Sequence, residues 1–170
     1  MSLATVAAGM SEREIIARLN DRCRHGLYRT GRTVITRTCL GTFANNPVAE
    51  VVAQAQILAE VRKFAKNYDS IRVGIVFGGV NMYEQGKELK MGVEILVATP
   101  GRLIDHVKKG NTELSNCTII CLDEADRMLE LGFEPQVRSI CNHVRPDKQC
   151  LFFSATFKKV IERLATDVLN

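Results

Sequence analysis

The chain has 170 residues, a formal net charge of +4 at pH 7, and 46% hydrophobic and 25% charged residues. This length can bury one hydrophobic core but hardly two, and the weak positive charge is only a faint sign of a polyanionic partner. No stretch is apolar enough to span a membrane, and residues 1–9 lack the charged start and long apolar core of a secretory signal, so membrane and secreted classes are excluded. We therefore expect an intracellular domain of the nucleus or cytoplasm.

The first third of the chain is rich in arginine. Five arginines and no acidic residue occur between Arg22 and Ala49. Such a segment is typical of an organellar presequence or an RNA-binding arm.

A phosphate-binding loop needs Gly-Lys-Thr or Gly-Lys-Ser, which is absent from the sequence. The nearest spacing match, Gly26 to Thr33, carries Arg32 in place of Lys. Because the planar Arg fork does not replace a compact ammonium in a tight phosphate cradle, we expect no working loop here.

Helical and strand-like patterns alternate after residue 50. Helices are predicted over Val51–Phe64, Met82–Met91, Arg102–Lys109, Glu134–His143 and Lys158–Leu169, and Arg127–Leu131 also looks helical. Strands are predicted over Arg72–Phe77, Glu94–Ala98, Thr118–Leu122 and Gln149–Phe153. This alternation predicts an α/β fold with a parallel sheet and helices on both of its faces.

Two of the predicted strands end in glycine-containing polar motifs. Gly78-Gly79 follows the first strand, and Thr99-Pro100-Gly101-Arg102 follows the second. A strand that enters a helix in this way leaves backbone N–H groups free to bind an anion, with the Thr hydroxyl and the Arg guanidinium available to the same phosphate. Taken alone, the glycines also suit an ordinary turn, and Pro-Gly suits an ordinary helix start.

The other two predicted strands end in carboxylates and hydroxyls. Asp123-Glu124-Ala125-Asp126 follows the apolar run Ile119–Leu122, and Ser154-Ala155-Thr156 follows the last strand. Ligands of open α/β sheets collect at the carboxyl ends of the strands, so Asp123 is a candidate Mg²⁺ ligand and Glu124 a candidate for polarising an attacking water. The acidic residues also suit the first turn of a helix, and the hydroxyls suit a helix cap.

These four motifs, in this order, resemble those of the first RecA-like domain of a DEAD-box ATP-dependent RNA helicase. The resemblance covers residues 57–170. It implies that Asp123 and Glu124 serve the hydrolysis of ATP, with Asp123 holding Mg²⁺ through water. It further implies that Asp126, Ser154, Ala155 and Thr156 couple the nucleotide to strand separation. The same resemblance implies that the protein binds the RNA sugar-phosphate backbone and does not read the base sequence. The implied RNA-binding residues are Gly78, Gly79, Thr99, Pro100, Gly101 and Arg102.

Residues 1–56 depart from this family. The motif that usually reads Pro-Thr-Arg-Glu-Leu survives at best as Pro47-Val48-Ala49-Glu50-Val51, and no adenine-recognition motif is identifiable. We interpret residues 1–56 as divergent, or as mistranslated over about residues 18–55. We expect the sheet to lack its central strand and residues 1–56 to be poorly stable.

The resemblance implies a second RecA-like domain, which this chain does not contain. The alternative function is a non-catalytic pseudo-helicase that binds RNA without a phosphate loop.

Histidines and cysteines show no site pattern. The six cysteines lack metal-ligand spacing, so buried free thiols in a reducing compartment are expected. His25, His106 and His143 have no obvious partners in the sequence, and each is expected at the surface or at a helix cap.

Overall fold

The computed structural model describes residues 32–37 and 47–169, with side-chain surroundings from residue 55 onward. Five parallel strands form one sheet in the order β2-β3-β1-β4-β5. The strands are β1 (Arg32–Arg37), β2 (Val73–Val76), β3 (Ile95–Ala98), β4 (Cys117–Asp123) and β5 (Gln149–Phe152). The helices are α1 (Pro47–Ala65), α2 (Met82–Met91), α3 (Pro100–Lys108), α4 (Ala125–Glu130), α5 (Glu134–His143) and α6 (Lys159–Leu169). The predicted α/β fold with a parallel sheet is confirmed.

The helices cover both faces of the sheet because successive side chains of a strand point to opposite faces. Leu96 and Ala98 of β3 belong to the large core cluster, which also contains Leu103 of α3, Ile140 of α5 and Leu164 of α6. Their neighbours Ile95 and Val97 instead join a second cluster with Ile57 and Val61 of α1. Burial on both faces explains why β3 reads as an uninterrupted apolar run.

The expectation that the sheet would lack its central strand was wrong. Strand β1 lies between β3 and β4 and is parallel to both, with Val34 in register with Leu96 on one side and Ile120 on the other. The β-branched run Thr33–Thr36 favours this extended conformation, although its residues resemble no family motif. The Gly26 to Thr33 match lies outside the described residues except for its last two positions, which begin β1.

Most predicted element boundaries agree with the structure to within one or two residues, and the main exception is α1. This helix begins at Pro47, four residues before the predicted Val51. Proline is tolerated in the first turn of a helix because the N–H that it lacks would have no partner inside the helix. The Pro47–Val51 remnant therefore forms the start of a helix.

The described helices and cysteines bear on two other expectations. None of the helices in the described part of the chain is long and apolar enough to cross a membrane. Within the same residues, Cys117, Cys121, Cys141 and Cys150 form no disulfide bond. Burial raises the pKa of Cys141 to about 11 and that of Cys150 to about 12, so both are protonated at neutral pH. Cys23 and Cys39 lie outside the described residues.

Candidate functional site

All four polar motifs lie at one edge of the sheet, because the carboxyl ends of parallel strands point the same way. The strand order divides them into two pairs. The Gly78-Gly79 turn and the Thr99–Arg102 segment follow the neighbouring strands β2 and β3. The Asp123–Asp126 and Ser154–Thr156 segments follow the neighbours β4 and β5. Strand β1 separates the two pairs, so the site has a glycine half and a carboxylate half.

The carboxylate half begins with a sharp turn at Glu124. This residue has φ 54° and ψ 46°, the one left-handed conformation of a non-glycine residue in the described segments. Such a conformation is costly for a side-chain-bearing residue and is enriched at functional sites. The turn is fixed on both sides: the Glu124 N–H donates to Asp123 Oδ1 at 3.0 Å, and the Ala125 N–H donates to the Phe153 carbonyl at 3.0 Å.

Asp126 joins this turn to the segment after β5. Its Oδ2 accepts hydrogen bonds from the Thr156 N–H at 3.0 Å and from Thr156 Oγ1 at 2.9 Å. Burial acts to raise the pKa of Asp126, but the hydrogen bonds from Thr156 and the Arg127 N–H outweigh it and hold that pKa below its ordinary value. Asp126 is therefore a carboxylate at neutral pH and a strong acceptor for Thr156.

Ser154 and Ala155 complete the link between β5 and α6. Ser154 Oγ donates to the Thr156 carbonyl at 2.7 Å, which closes a tight turn around the exposed Ala155. The structure therefore brings together Asp126, Ser154 and Thr156.

In the glycine half, the space beside the main chain at Gly78 and Gly79 is open. Gly79 has φ +76°, a conformation that favours glycine, and a Cβ built on Gly78 or Gly79 meets no atom within 4 Å. Thr99 is buried and precedes α3, with its N–H donating to the Val76 carbonyl and its carbonyl accepting from the Leu103 N–H. Its hydroxyl does not cap the helix.

Arg102 is half-buried, and two hydrogen bonds fix its guanidinium. Its Nη1 donates to the Val80 carbonyl at 2.8 Å and to Gln85 Oε1 at 3.0 Å. Gln85 in turn contacts His106, which is fully buried. Burial, and then the nearby Arg102 charge, lowers the pKa of His106, so this histidine is neutral at pH 7.

The expectation that His106 lies at the surface or caps a helix was therefore wrong. Gln85 and His106 were missed as site-associated residues by the sequence reasoning. Their signal was polar side chains on the apolar faces of two helices, Gln85 four residues before Leu89 and His106 three residues after Leu103.

Comparisons with known proteins identify the family of this chain. The DEAD/DEAH box helicase family model matches residues 47–164. The chain is 54% identical over 131 residues to the ATP-dependent RNA helicase DDX42 of Xenopus laevis, covering 74% of this chain and 14% of that protein. It is also 54% identical over 115 residues to the DEAD-box ATP-dependent RNA helicase 24 of Oryza sativa subsp. japonica, covering 68% of this chain and 15% of that protein.

Solved structures show the same fold. The yeast DEAD-box splicing factor Prp28 aligns with a TM-score of 0.70 and 32% identity over 83% of this chain and 31% of that one. A hypothetical ATP-dependent RNA helicase from Sulfolobus tokodaii aligns with a TM-score of 0.73 and 24% identity, over 96% of this chain and 44% of that one, which supports the fold alone. The chain spans about one-seventh of the curated relatives that it matches.

Proposed function

The chain belongs to the DEAD/DEAH box helicase family, and from this premise we propose that it carries part of the ATP-hydrolysing, RNA-binding core of an ATP-dependent RNA helicase. The carboxylate half acts on ATP and the glycine half holds RNA. Residues 57–170 form the RecA-like part, and the whole protein supplies a second RecA-like domain. Such a protein works in the nucleus or the cytoplasm.

One observation carries this proposal: the paired hydrogen bonds from Thr156 to Asp126. They tie the turn that bears Asp123 and Glu124 to the loop after β5. A movement of this turn on ATP hydrolysis would therefore be transmitted to β5 and α6. If Asp126 only capped α4, it would not need hydrogen bonds to the segment after β5.

The donor set of the carboxylate half fits Mg²⁺. Asp123 is half-buried at the end of β4, and a carboxylate is the hard oxygen ligand that this ion prefers. An ion held there by one carboxylate through water would have phosphate oxygens completing its shell. When bound, the ion neutralises charge on the phosphates.

Glu124 is the residue that we assign to the attacking water. Glu124 has a left-handed backbone, whereas Asp123 ends strand β4, and we assign the two carboxylates different tasks. Glu124 orients the water and accepts its proton as the water attacks the terminal phosphate of ATP.

The glycine half suits a sugar-phosphate backbone. Gly79 is exposed and Gly101 is half-buried in the first turn of α3, so we assign the backbone contacts to their main-chain groups, and such contacts read no base. Sequence-independent RNA binding follows from this chemistry, and the particular RNA must be selected by other parts of the protein.

Phosphate release from Mg-ATP, measured with and without single-stranded RNA, tests the proposal. We expect Glu124→Gln to lower the RNA-stimulated rate by about a hundredfold or more, because proton transfer contributes at least that factor. Glu113→Gln, the same change at an exposed residue outside the site, serves as the matched control and leaves the rate unchanged.

A wild-type chain that binds RNA but releases no phosphate would contradict the enzymatic assignment. That result would favour the non-catalytic RNA binder, an alternative that the absence of a Gly-Lys-Thr sequence supports.

A further inference from the structure

A chain of polar side chains is buried beside the glycine half. Gln85 on α2 is 6% exposed and His106 on α3 is 0% exposed. A polar group in such a position destabilises the fold unless its hydrogen bonds are made. Both residues therefore need partners, and the partners indicate what the pair does.

The donors and acceptors of this chain form one consistent pattern. Gln85 Nε2 donates to the Phe77 carbonyl at 3.1 Å, so Gln85 Oε1 is the acceptor for Arg102 Nη1 at 3.0 Å and for His106 Nε2 at 3.2 Å. His106 Nδ1 then accepts from Asn111 Nδ2 at 3.0 Å. A neutral imidazole protonated at Nε2 satisfies every one of these contacts.

Glycine at position 86 makes room for the last member of the chain. A Cβ on Gly86 would lie 2.9 Å from Asn111 Nδ2. The absence of a side chain there lets Asn111 approach α2 closely enough to reach His106.

The chain of hydrogen bonds ends on the backbone of the glycine half. Gln85 bonds the Phe77 carbonyl just before Gly78-Gly79, and Arg102 bonds the Val80 carbonyl just after them. The turn is therefore clamped at both ends. Because a Cβ at either glycine would meet no atom within 4 Å, side-chain packing at the turn itself contributes little to fixing it.

We propose that Gln85, His106 and Asn111 are positioning residues that hold Arg102 against Val80 and so fix the Gly78–Val80 turn in its RNA-binding shape. This inference rests on the proposed RNA-binding function. It assigns Arg102 a bracing role through its Nη1 in addition to any phosphate contact. Gln85 is the hub, since it touches both the turn and the guanidinium.

Backbone order parameters from NMR relaxation at Gly78, Gly79 and Val80 test the clamp without RNA. In the full chain, Gln85→Leu keeps the side-chain volume but removes the hub, and we expect the order parameters of these residues to fall from about 0.85 to below about 0.6. Gln136→Leu is the matched control, since the Gln136 Oε1 is buried without a hydrogen-bond partner among the described residues. Unchanged order parameters in Gln85→Leu would overturn the clamp.

A double-mutant cycle on RNA affinity tests whether Gln85 acts through Arg102. The probe is a short fluorescent single-stranded uridine oligomer, and the variants are Gln85→Leu, Arg102→Met and their combination. We expect Gln85→Leu to weaken binding several-fold in the wild-type background and by a smaller factor in Arg102→Met, where only its bond to the Phe77 carbonyl is lost. Additive losses would overturn the positioning role, because a merely structural glutamine would weaken binding equally in both backgrounds.

Failure of the proposed function gives a different result. If the wild-type chain does not bind the oligomer, RNA binding is refuted, while the order parameters still decide whether Gln85 holds the turn.

Discussion

Burial, hydrogen bonds and neighbouring charges decide the ionisation state of Asp126 and His106. Burial disfavours the ionised form of Asp126, but hydrogen bonds from Thr156 and the Arg127 N–H keep the carboxylate ionised. His106 shows the opposite outcome, because burial and Arg102 keep it neutral. Ionisation at each position therefore follows from the partners that the fold supplies.

Thr156→Val removes one of the two hydrogen bonds to Asp126 and keeps the side-chain shape. We expect the free energy of unfolding to fall by about 1 kcal/mol, because a charged acceptor loses a donor at a partly exposed site. Urea unfolding measures the change. Thr166→Val is the control, since that hydroxyl only bonds the Glu162 carbonyl within α6 at 2.8 Å and its removal should be nearly neutral. Equal losses in the two variants would contradict the special strength of the Asp126 contact.

His106 predicts a pH-dependent stability. Its pKa is lower in the folded chain than in the unfolded chain, so the unfolded state binds more protons below about pH 6.5. The stabilising contribution is therefore present above that pH and is lost as the pH falls, by at most about 1.4 kcal/mol per pH unit for one proton. The charged groups near the ring are Arg102, Asp105 and Lys109.

Urea unfolding of the wild type and of His106→Gln between pH 5 and 8 checks this expectation. The wild type should lose stability on acidification more steeply than the variant. His25 and His143 are present in both proteins, so the difference between the curves reports His106 alone. Parallel curves would show that His106 does not titrate in this range.

Among the secondary-structure elements, β1 is the one that the sequence patterns did not predict. It pairs with β3 on one side and with β4 on the other, so it joins the glycine half to the carboxylate half. Without it, the strands that carry the two halves have no common neighbour. The position of this strand makes residues 32–37 of the arginine-rich segment a part of the fold.

Truncation tests the importance of β1. A chain that begins at residue 47 lacks the central strand, and we expect it to lose most of its stability, about 5 kcal/mol or more, and its cooperative unfolding. A chain that begins at residue 32 keeps β1 and is the matched control. Identical unfolding curves for the two truncated chains would show that the sheet does not need this strand.

At the scale of the whole molecule, the site occupies one edge of one sheet and is divided between two halves. The family match begins at residue 47, and the chain spans about one-seventh of its curated relatives. The proposed second domain belongs to the remainder of such a protein. The interpretation of about residues 18–55 as mistranslated stays a prediction, as does the poor stability of residues 1–56.

The sequence by itself determined the α/β class, the alternation of elements after residue 50 and the four strand-end motifs. These features are local: apolar runs, helical periodicity and turn residues are all read from neighbouring positions. The family also followed from motif order, because four short motifs in a fixed order are far more specific than any one of them.

Only the tertiary structure decided which strands are neighbours and which buried polar groups meet. The Thr33–Thr36 run favours a strand, but its place between β3 and β4 depends on pairing with residues about 60 and 90 positions away. The contacts of Gln85 with Arg102 and His106 likewise join two helices across the chain. Helical spacing places Gln85 and His106 on apolar faces but does not identify their partners, because hydrogen bonding between distant side chains is fixed by packing.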